Sequence, residues 1–260
     1  MASNHPKGVI LAAGRGTRLK PLTDVTSKIL LPVFDRPMIL SPLETLRNIG
    51  VNDICIVTGR EYHSDFVNLL GDGSSYGVKL TYIIQDKPLG IAHALLQAED
   101  FFGEEKVVAI LGDNMFNNFV LPDGVLQDKN AYIFIKEVAH PEGFGVAQIG
   151  ERDVVVGIEE KPKEPKSNFV VTGFYIFPND VFAAIKDLRP SGRGEYEITD
   201  VNNYYLKKGN LKAHRLSGYW LDTGSFESLL GASIMRALHI MPALFDGIDI
   251  KTREDKFSKI

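Results

Sequence analysis

The chain of 260 residues contains a single cysteine, Cys55, so no intrachain disulfide framework can form. That cysteine sits in the apolar run Ile54-Cys55-Ile56-Val57, where a thiol behaves as a small buried hydrophobe. No stretch approaches the roughly 18 consecutive apolar residues of a transmembrane helix. The apolar segment from Val9 to Ala13 is too short for a secretory leader and runs directly into Gly14-Arg15. Charge of one sign is also missing in excess: the formal net charge is −4, with no basic stripe of the kind that tracks nucleic acid. The six histidines show no His-x-x-x-His spacing, so a structural zinc site is not expected. Internal repeats, low-complexity segments and clear linkers are absent. These absences predict a globular protein of a reducing, cytoplasmic compartment, without membrane or nucleic-acid partners. With 44% hydrophobic and 24% charged residues, a chain of this length buries a sizeable core.

Two common phosphate-binding fingerprints are likewise incomplete. In Gly14-Arg15-Gly16-Thr17-Arg18-Leu19 the third glycine of a dinucleotide motif is replaced by Leu19, and Gly16 is not followed by the Lys-Ser/Thr of a Walker loop. What is present is a short apolar strand, Val9–Leu11, running into a glycine-rich loop that ends in Arg18. A second cation follows in Ser27-Lys28-Ile29-Leu30-Leu31-Pro32. Glycines let backbone amides approach a ligand closely, and such a concavity with Arg and Lys beside it suits a triphosphate. A plain tight turn between strand and helix also fits the loop taken alone.

Strand and helix patterns alternate through the first half. Strands are predicted at Val9–Leu11, Asp53–Thr58, Lys79–Ile84 and Lys106–Leu111. The last is nearly all apolar and is therefore expected near the sheet centre. Between them, Pro37 is expected to open a helix carrying Ile39, Leu43, Leu46 and Ile49, closed by Gly50. A short helix is read near Tyr62–Leu70, and a stripe of Ile91, Ala94, Leu95, Ala98 and Phe102 marks another. This β-α-β order implies parallel strands with right-handed crossovers, and a ligand crevice beyond their carboxyl ends. The second half reads as strands at Ala131–Glu137, Gly145–Ile149, Val154–Glu159 and Val171–Phe177, the antiparallel or mixed part of the sheet. A helix capped by Asn179 to Leu188, a helix from Ile198 towards Lys208, a strand at Leu211–Leu216 and a long helix capped by Ser225 follow. The charged residues 250–260 are expected to fray.

Four constellations fall at predicted strand ends. Asp113, in Leu111-Gly112-Asp113-Asn114, and Asp222, in Trp220-Leu221-Asp222-Thr223-Gly224, are acids on glycine turns. Each alone also fits a solvated turn, but two of them beside a triphosphate loop match the usual carboxylate and phosphate coordination of Mg²⁺. Lys161 directly follows a strand in Glu159-Glu160-Lys161-Pro162-Lys163-Glu164-Pro165-Lys166, a run that otherwise reads as a charged surface loop. Gln85, in Gln85-Asp86-Lys87-Pro88-Leu89-Gly90, offers a donor and an acceptor to a pyrimidine edge, or is an exposed turn residue.

In order and spacing these segments resemble the sugar-phosphate nucleotidylyltransferases, and within them most closely the glucose-1-phosphate thymidylyltransferases. Val171-Thr172-Gly173 and Arg193-Gly194-Glu195-Tyr196-Glu197-Ile198-Thr199-Asp200 complete the likeness, which spans roughly residues 7–235. The resemblance implies an α/β fold with a Rossmann-like, mixed but mostly parallel central sheet flanked by helices, of the nucleotide-diphospho-sugar transferase type. It implies one domain over 1–235, with a nucleotide-binding half at 1–115, a sugar-phosphate-binding half at 116–235 and a C-terminal tail at 236–260.

The implied reaction joins dTTP, with UTP as the alternative, to α-D-glucose 1-phosphate, giving dTDP-glucose and pyrophosphate, with Mg²⁺ as cofactor. By the same resemblance, Arg18, Lys28 and Lys161 are the catalytic cations. Leu11, Ala13, Gly14, Gly16, Thr17, Gln85, Gly90 and Asp113 bind the nucleotide. Gly145, Glu160, Lys161 and Thr172 bind the sugar phosphate, Gly145 and Thr172 through their backbone, and Asp113 and Asp222 hold the metal. A homo-oligomer is expected from the family's habit. Two positions depart from its pattern: Ala13 stands where a second glycine is common, and Ile29 where a polar residue often follows the lysine.

Other readings stay open. Another hexose 1-phosphate is one. A glycosyltransferase usually carries Asp-x-Asp, and Asp113-Asn114-Met115 lacks the second acid. A non-catalytic nucleotide-sugar sensor would have lost the charged set that is retained here.

Overall fold

A computed structural model describes residues 6–151 and 154–245. In chain order its elements are β1 (Lys7–Ala12), β2 (Pro32–Val33), β3 (Arg36–Pro37), α1 (Leu40–Asn48), β4 (Asp53–Gly59), α2 (His63–Leu70), β5 (Lys79–Gln85), α3 (Ile91–Leu96), α4 (Glu99–Phe102), β6 (Val107–Leu111), β7 (Asn114–Phe116), β8 (Ala131–Glu137), β9 (Gly145–Ile149), β10 (Val155–Glu160), β11 (Phe169–Phe177), α5 (Val181–Lys186), α6 (Ile198–Lys207), β12 (Leu211–Arg215), β13 (Trp220–Asp222) and α7 (Phe226–Ile240).

One sheet runs through both halves in the order β10-β9-β11-β6-β1-β4-β5, with β8 on β11 and β12 on β8. The expected parallel strands β5, β4, β1 and β6 are neighbours in that order, and β6 lies centrally. From β6 onward the sheet turns antiparallel through β11, which also pairs antiparallel with β8. Residues of the central strands alternate between two cores. Val9, Leu11, Cys55, Val57 and Ala109 face α3, α5 and α6. Ile10, Ile54, Ile56, Val108 and Ile110 face α1, α2 and α7. A strand buried on both faces reads as continuously apolar, which is why β6 was legible. Each of its wholly buried side chains contributes about 1.5–3 kcal/mol of apolar transfer if as large as Val or Ile.

Several local expectations move. The first helix starts at Leu40, because Pro37 is held extended in β3 opposite Pro32 and the amides of Met38 and Ile39 donate to Leu31 and Ile29. The 91–102 stripe breaks at Gln97 and Ala98 into α3 and α4. Asn179 caps nothing: its amide donates to the carbonyls of Gly103 and Glu105, and α5 runs only over Val181–Lys186. Ser225 does cap α7, in a reciprocal box with Ser228. The expected boundary at 235 falls inside α7, and the fraying expected of 250–260 lies outside the described residues.

Candidate active site

The parallel strands β1, β5 and β6 end on the same edge of the sheet, so their following loops meet there. After β1 the chain turns at Gly16, whose φ of +62° is the left-handed region that glycine enters without strain. A Cβ at Gly16 would also stand 2.7 Å from Lys28 Cβ and 2.9 Å from Thr23 Cγ2. The Thr23 hydroxyl and the Leu19 amide both donate to the Gly16 carbonyl at 2.9 Å, which pins the turn. The loop walls a cavity of about 700 Å³. Leu11, Ala13, Gly14, Gly16, Thr17, Lys28, Gln85, Gly90 and Asp113, all nominated from sequence, line it. Arg15, Lys87 and Glu195 line it too and had not been singled out. Ile29, the apolar departure, is 3% exposed and packs where a Cβ on Gly112 would lie 3.0 Å away, so it seats the β6 turn.

The two acids sit at one end of a small two-stranded ribbon, Asp113 just before β7 and Asp222 at the end of β13. β7 and β13 pair antiparallel with Asp222 opposite Asn114, and the Thr223 amide and hydroxyl both donate to the Asp113 carbonyl, at 3.0 and 2.8 Å. Asn114 locks this ribbon. Its Oδ1 accepts from the Gly173 amide at 2.8 Å and from Trp220 Nε1 at 2.5 Å, and its Nδ2 donates to Asp113 Oδ1 at 2.9 Å. The buried Lys28 ammonium donates to Asp113 Oδ2. Burial opposes the charged form of each, yet Lys28 holds Asp113 below the usual carboxylate range. Asp113 and Asp222 together hold Lys28 above the usual lysine range. Asp222 goes the other way: burial first, and the Asp113 charge second, push it up to about 6, against the pull of Lys28, Arg18 and Lys161. Its Oδ1 is buried and accepts no hydrogen bond from any described residue. Two neighbouring carboxylates, one with a buried unpartnered oxygen, fit an oxygen-preferring divalent cation.

Arg18 stands at the same place, although its side chain is exposed. A Cβ on Gly224 would lie 2.5 Å from Arg18 Nη2 and 3.0 Å from Asp222 Oδ1, so the guanidinium and the carboxylate meet over this glycine. Lys161, at φ +46°, follows β10, and its amide donates to the Phe144 carbonyl at 2.9 Å. Its ammonium is 3.9 Å from Glu160 Oε1 and is felt by Asp222. Glu160 Oε2 accepts from the Thr199 hydroxyl at 2.6 Å, and a Cβ on Gly145 would lie 3.3 Å from that oxygen. Thr172 is different. It is wholly buried, and its hydroxyl donates to the Phe134 carbonyl at 2.8 Å inside the β11–β8 pairing, so its side chain offers nothing to a ligand.

Sequence reasoning gave no role to Arg193. Its guanidinium reaches Glu197 at 2.8 Å, Glu160 at 3.3 Å and Glu195 at 3.6 Å, tying the two walls of this region together. The motif was visible; its partners were not.

A family model described as "Nucleotidyl transferase" matches residues 7–237. The chain belongs to the nucleotidyl transferase family. Among its relatives in that family, a glucose-1-phosphate thymidylyltransferase of Neisseria meningitidis is 45% identical over 229 residues, covering 86% of this chain and 80% of that one. A crystal structure from Bacillus anthracis, described as a glucose-1-phosphate thymidylyltransferase in complex with sucrose, superimposes with a TM-score of 0.84. It is 48% identical and covers 88% of this chain and 94% of that chain. A UDP-glucose pyrophosphorylase complexed with UDP-glucose superimposes with a TM-score of 0.80 at 26% identity, covering 89% of this chain and 98% of that chain. This nucleotidyl transferase therefore has the expected mixed α/β architecture and is an enzyme.

Proposed function

We propose that the enzyme transfers a thymidylyl group from dTTP, or a uridylyl group from UTP, to α-D-glucose 1-phosphate, releasing pyrophosphate. One observation carries the reading: the glycine-loop cavity, lined by Asp113, adjoins a half-buried pair of acids ringed by Lys28, Arg18 and Lys161. The relatives named for glucose 1-phosphate and UDP-glucose support the substrate class.

In this reading the loop amides, with Arg18 and Lys28, hold the triphosphate. Gln85 and the Gly90 backbone read the base. Glu160 and the Gly145 backbone hold hexose hydroxyls, and Lys161 holds the phosphate of the sugar 1-phosphate. The backbone at Thr172 belongs to that set, while its hydroxyl is taken by the Phe134 carbonyl. Residues 1–115 serve the nucleotide and 116–235 the sugar phosphate, across one shared sheet. Asp113 and Asp222 would hold Mg²⁺, which when bound neutralises phosphate charge. The nucleophile is a phosphate oxygen with a second pKa of about 6, ionised at neutral pH, so no general base is needed. The barrier is the approach of two anions in line, which positioned cations lower.

The proposal extends to a cytoplasmic homo-oligomer, supported by exposed Phe226 and Leu230 on α7 and Phe34 beside it. Among the described residues no helix is long and apolar enough to cross a membrane. Pyrophosphate release, measured with Mg²⁺ across four triphosphates and several sugar 1-phosphates, tests the reaction. Release with dTTP or UTP and glucose 1-phosphate is expected; silence with every pair would favour a sensor.

A further inference from the structure

Gln85 lines the nucleotide cavity, and its amide nitrogen is engaged by the protein itself. Nε2 lies 3.3 Å from the Gly90 carbonyl and 2.7 Å from His93 Nδ1. A carbonyl oxygen only accepts, so the atom between these two groups is the donor and the amide cannot be turned over without setting oxygen against oxygen. Both N–H bonds are thereby used inward. The remaining atom, Oε1, accepts no hydrogen bond from any described residue and is not among the buried unpartnered atoms. It is the group left for a ligand, and it is an acceptor.

His93 makes that arrangement conditional. It sits in the first turn of α3, outside the cavity lining, with its ring stacked on Tyr196 at 6.0 Å between centroids. The Gln97 amide, just past the end of α3, donates to the His93 carbonyl at 3.1 Å and stands 3.5 Å from the far ring nitrogen, too long to set its proton against the 2.7 Å contact at Nδ1. The Tyr196 backbone is fixed in turn, its amide donating to Leu89 at 2.7 Å and its carbonyl accepting from Ala92 at 3.1 Å. Nδ1 accepts only while the imidazole is neutral and carries its proton on Nε2. Gln85, Gln97 and Tyr196 are the groups that face it, and burial alone lowers its pKa, so the neutral form is the one present at pH 7.

We infer that His93 is a positioning residue for base choice: by holding the Gln85 nitrogen inward it leaves a carbonyl oxygen facing the cavity, which takes a pyrimidine carrying N–H at its 3-position and refuses cytosine, whose ring nitrogen there is itself an acceptor. This rests on the cavity holding a nucleoside triphosphate, as proposed above. Two acceptors forced together leave a buried group unpaired, a penalty that corresponds to roughly five- to 150-fold in affinity.

The test is equilibrium binding of dTTP and dCTP to the full chain, comparing wild type with His93→Phe and His93→Asn. Wild type is expected to favour dTTP by at least about tenfold. His93→Phe removes the shorter of the two contacts and leaves only the 3.3 Å one to the Gly90 carbonyl to hold the nitrogen inward, so the preference falls severalfold. His93→Asn, which replaces an acceptor close to Nδ1, restores it. A folded His93→Phe that keeps the full preference overturns the inference. If that variant does not fold, the wild-type preference is followed by NMR as the His93 ring is protonated. The phosphates titrate equally in both ligands, so their effect cancels in the ratio. A ratio that stays constant while the ring becomes charged is equally fatal. Loss of preference in the variant, with no sugar 1-phosphate supporting pyrophosphate release, would remove the transfer reaction and keep this inference. Transfer with unaltered base preference would do the reverse.

Discussion

Asp222→Asn should make the metal-free protein more stable while abolishing its activity. The wild-type carboxyl is raised from 3.8 to about 6 by burial and by the neighbouring Asp113. A carboxyl that is harder to ionise in the folded state than in the unfolded one binds more protons when folded. Its contribution to stability is therefore undiminished below about pH 4 and lost as pH rises through 4 to 6. At 1.36 kcal/mol per decade the difference amounts to about 3 kcal/mol at neutral pH. Part of the residue faces the cleft, and an amide also loses hydration there, so the expected gain is about 1–3 kcal/mol. Chemical denaturation of both proteins in chelator, from pH 4 to pH 8, reads it directly. The two curves should converge at the acid end and separate above pH 6, with the variant more stable. Adding Mg²⁺ should recover the wild type alone. A variant less stable than wild type at pH 7 in chelator, or a difference independent of pH, would refute the account of Asp222 as a charge kept buried for its ligand.

Four further outcomes are expected. Lys28→Ala leaves Asp113 without its counter-charge and should cost about 3–5 kcal/mol in denaturation as well as activity, because half of a buried pair is worse than none. Lys161→Ala should fold normally, since the ammonium is largely exposed, yet lose turnover by on the order of 10²–10³; wild-type turnover at saturating substrates would contradict its role. Gly224→Ala sets a methyl 2.5 Å from Arg18 Nη2 and should reduce kcat while leaving the melting temperature within a few degrees, because the flexible guanidinium can swing aside. Cys55, buried and with its thiol pushed up to about 12 by burial, should resist alkylation in the native protein and react only on denaturation, as followed by mass spectrometry.

Much of the first half was legible because its signals are local. An apolar run of five residues at β6, the glycines after β1 and the alternation of strand with helical stripe report backbone preference and burial over a few positions. Those same signals misplaced the start of α1, where a hairpin to Pro32 overrides the tendency of Pro37 to open a helix. They also assigned Asn179 to a cap, when its amide is taken by carbonyls 74 and 76 residues away.

By itself, the sequence determined the order of the parallel strands' elements, the glycine-rich loop after the first strand and the list of charged groups, since each depends on neighbours within a turn or a strand. Only the tertiary structure decided which of those groups meet. Asp113 and Asp222 are adjacent because β7 pairs with β13, and Arg18 reaches Asp222 across Gly224. Thr172 turns its hydroxyl into the sheet because β11 pairs there with β8. Pairing, burial and the direction of a side chain are set by residues distant in the chain, and no local pattern of residue types encodes them.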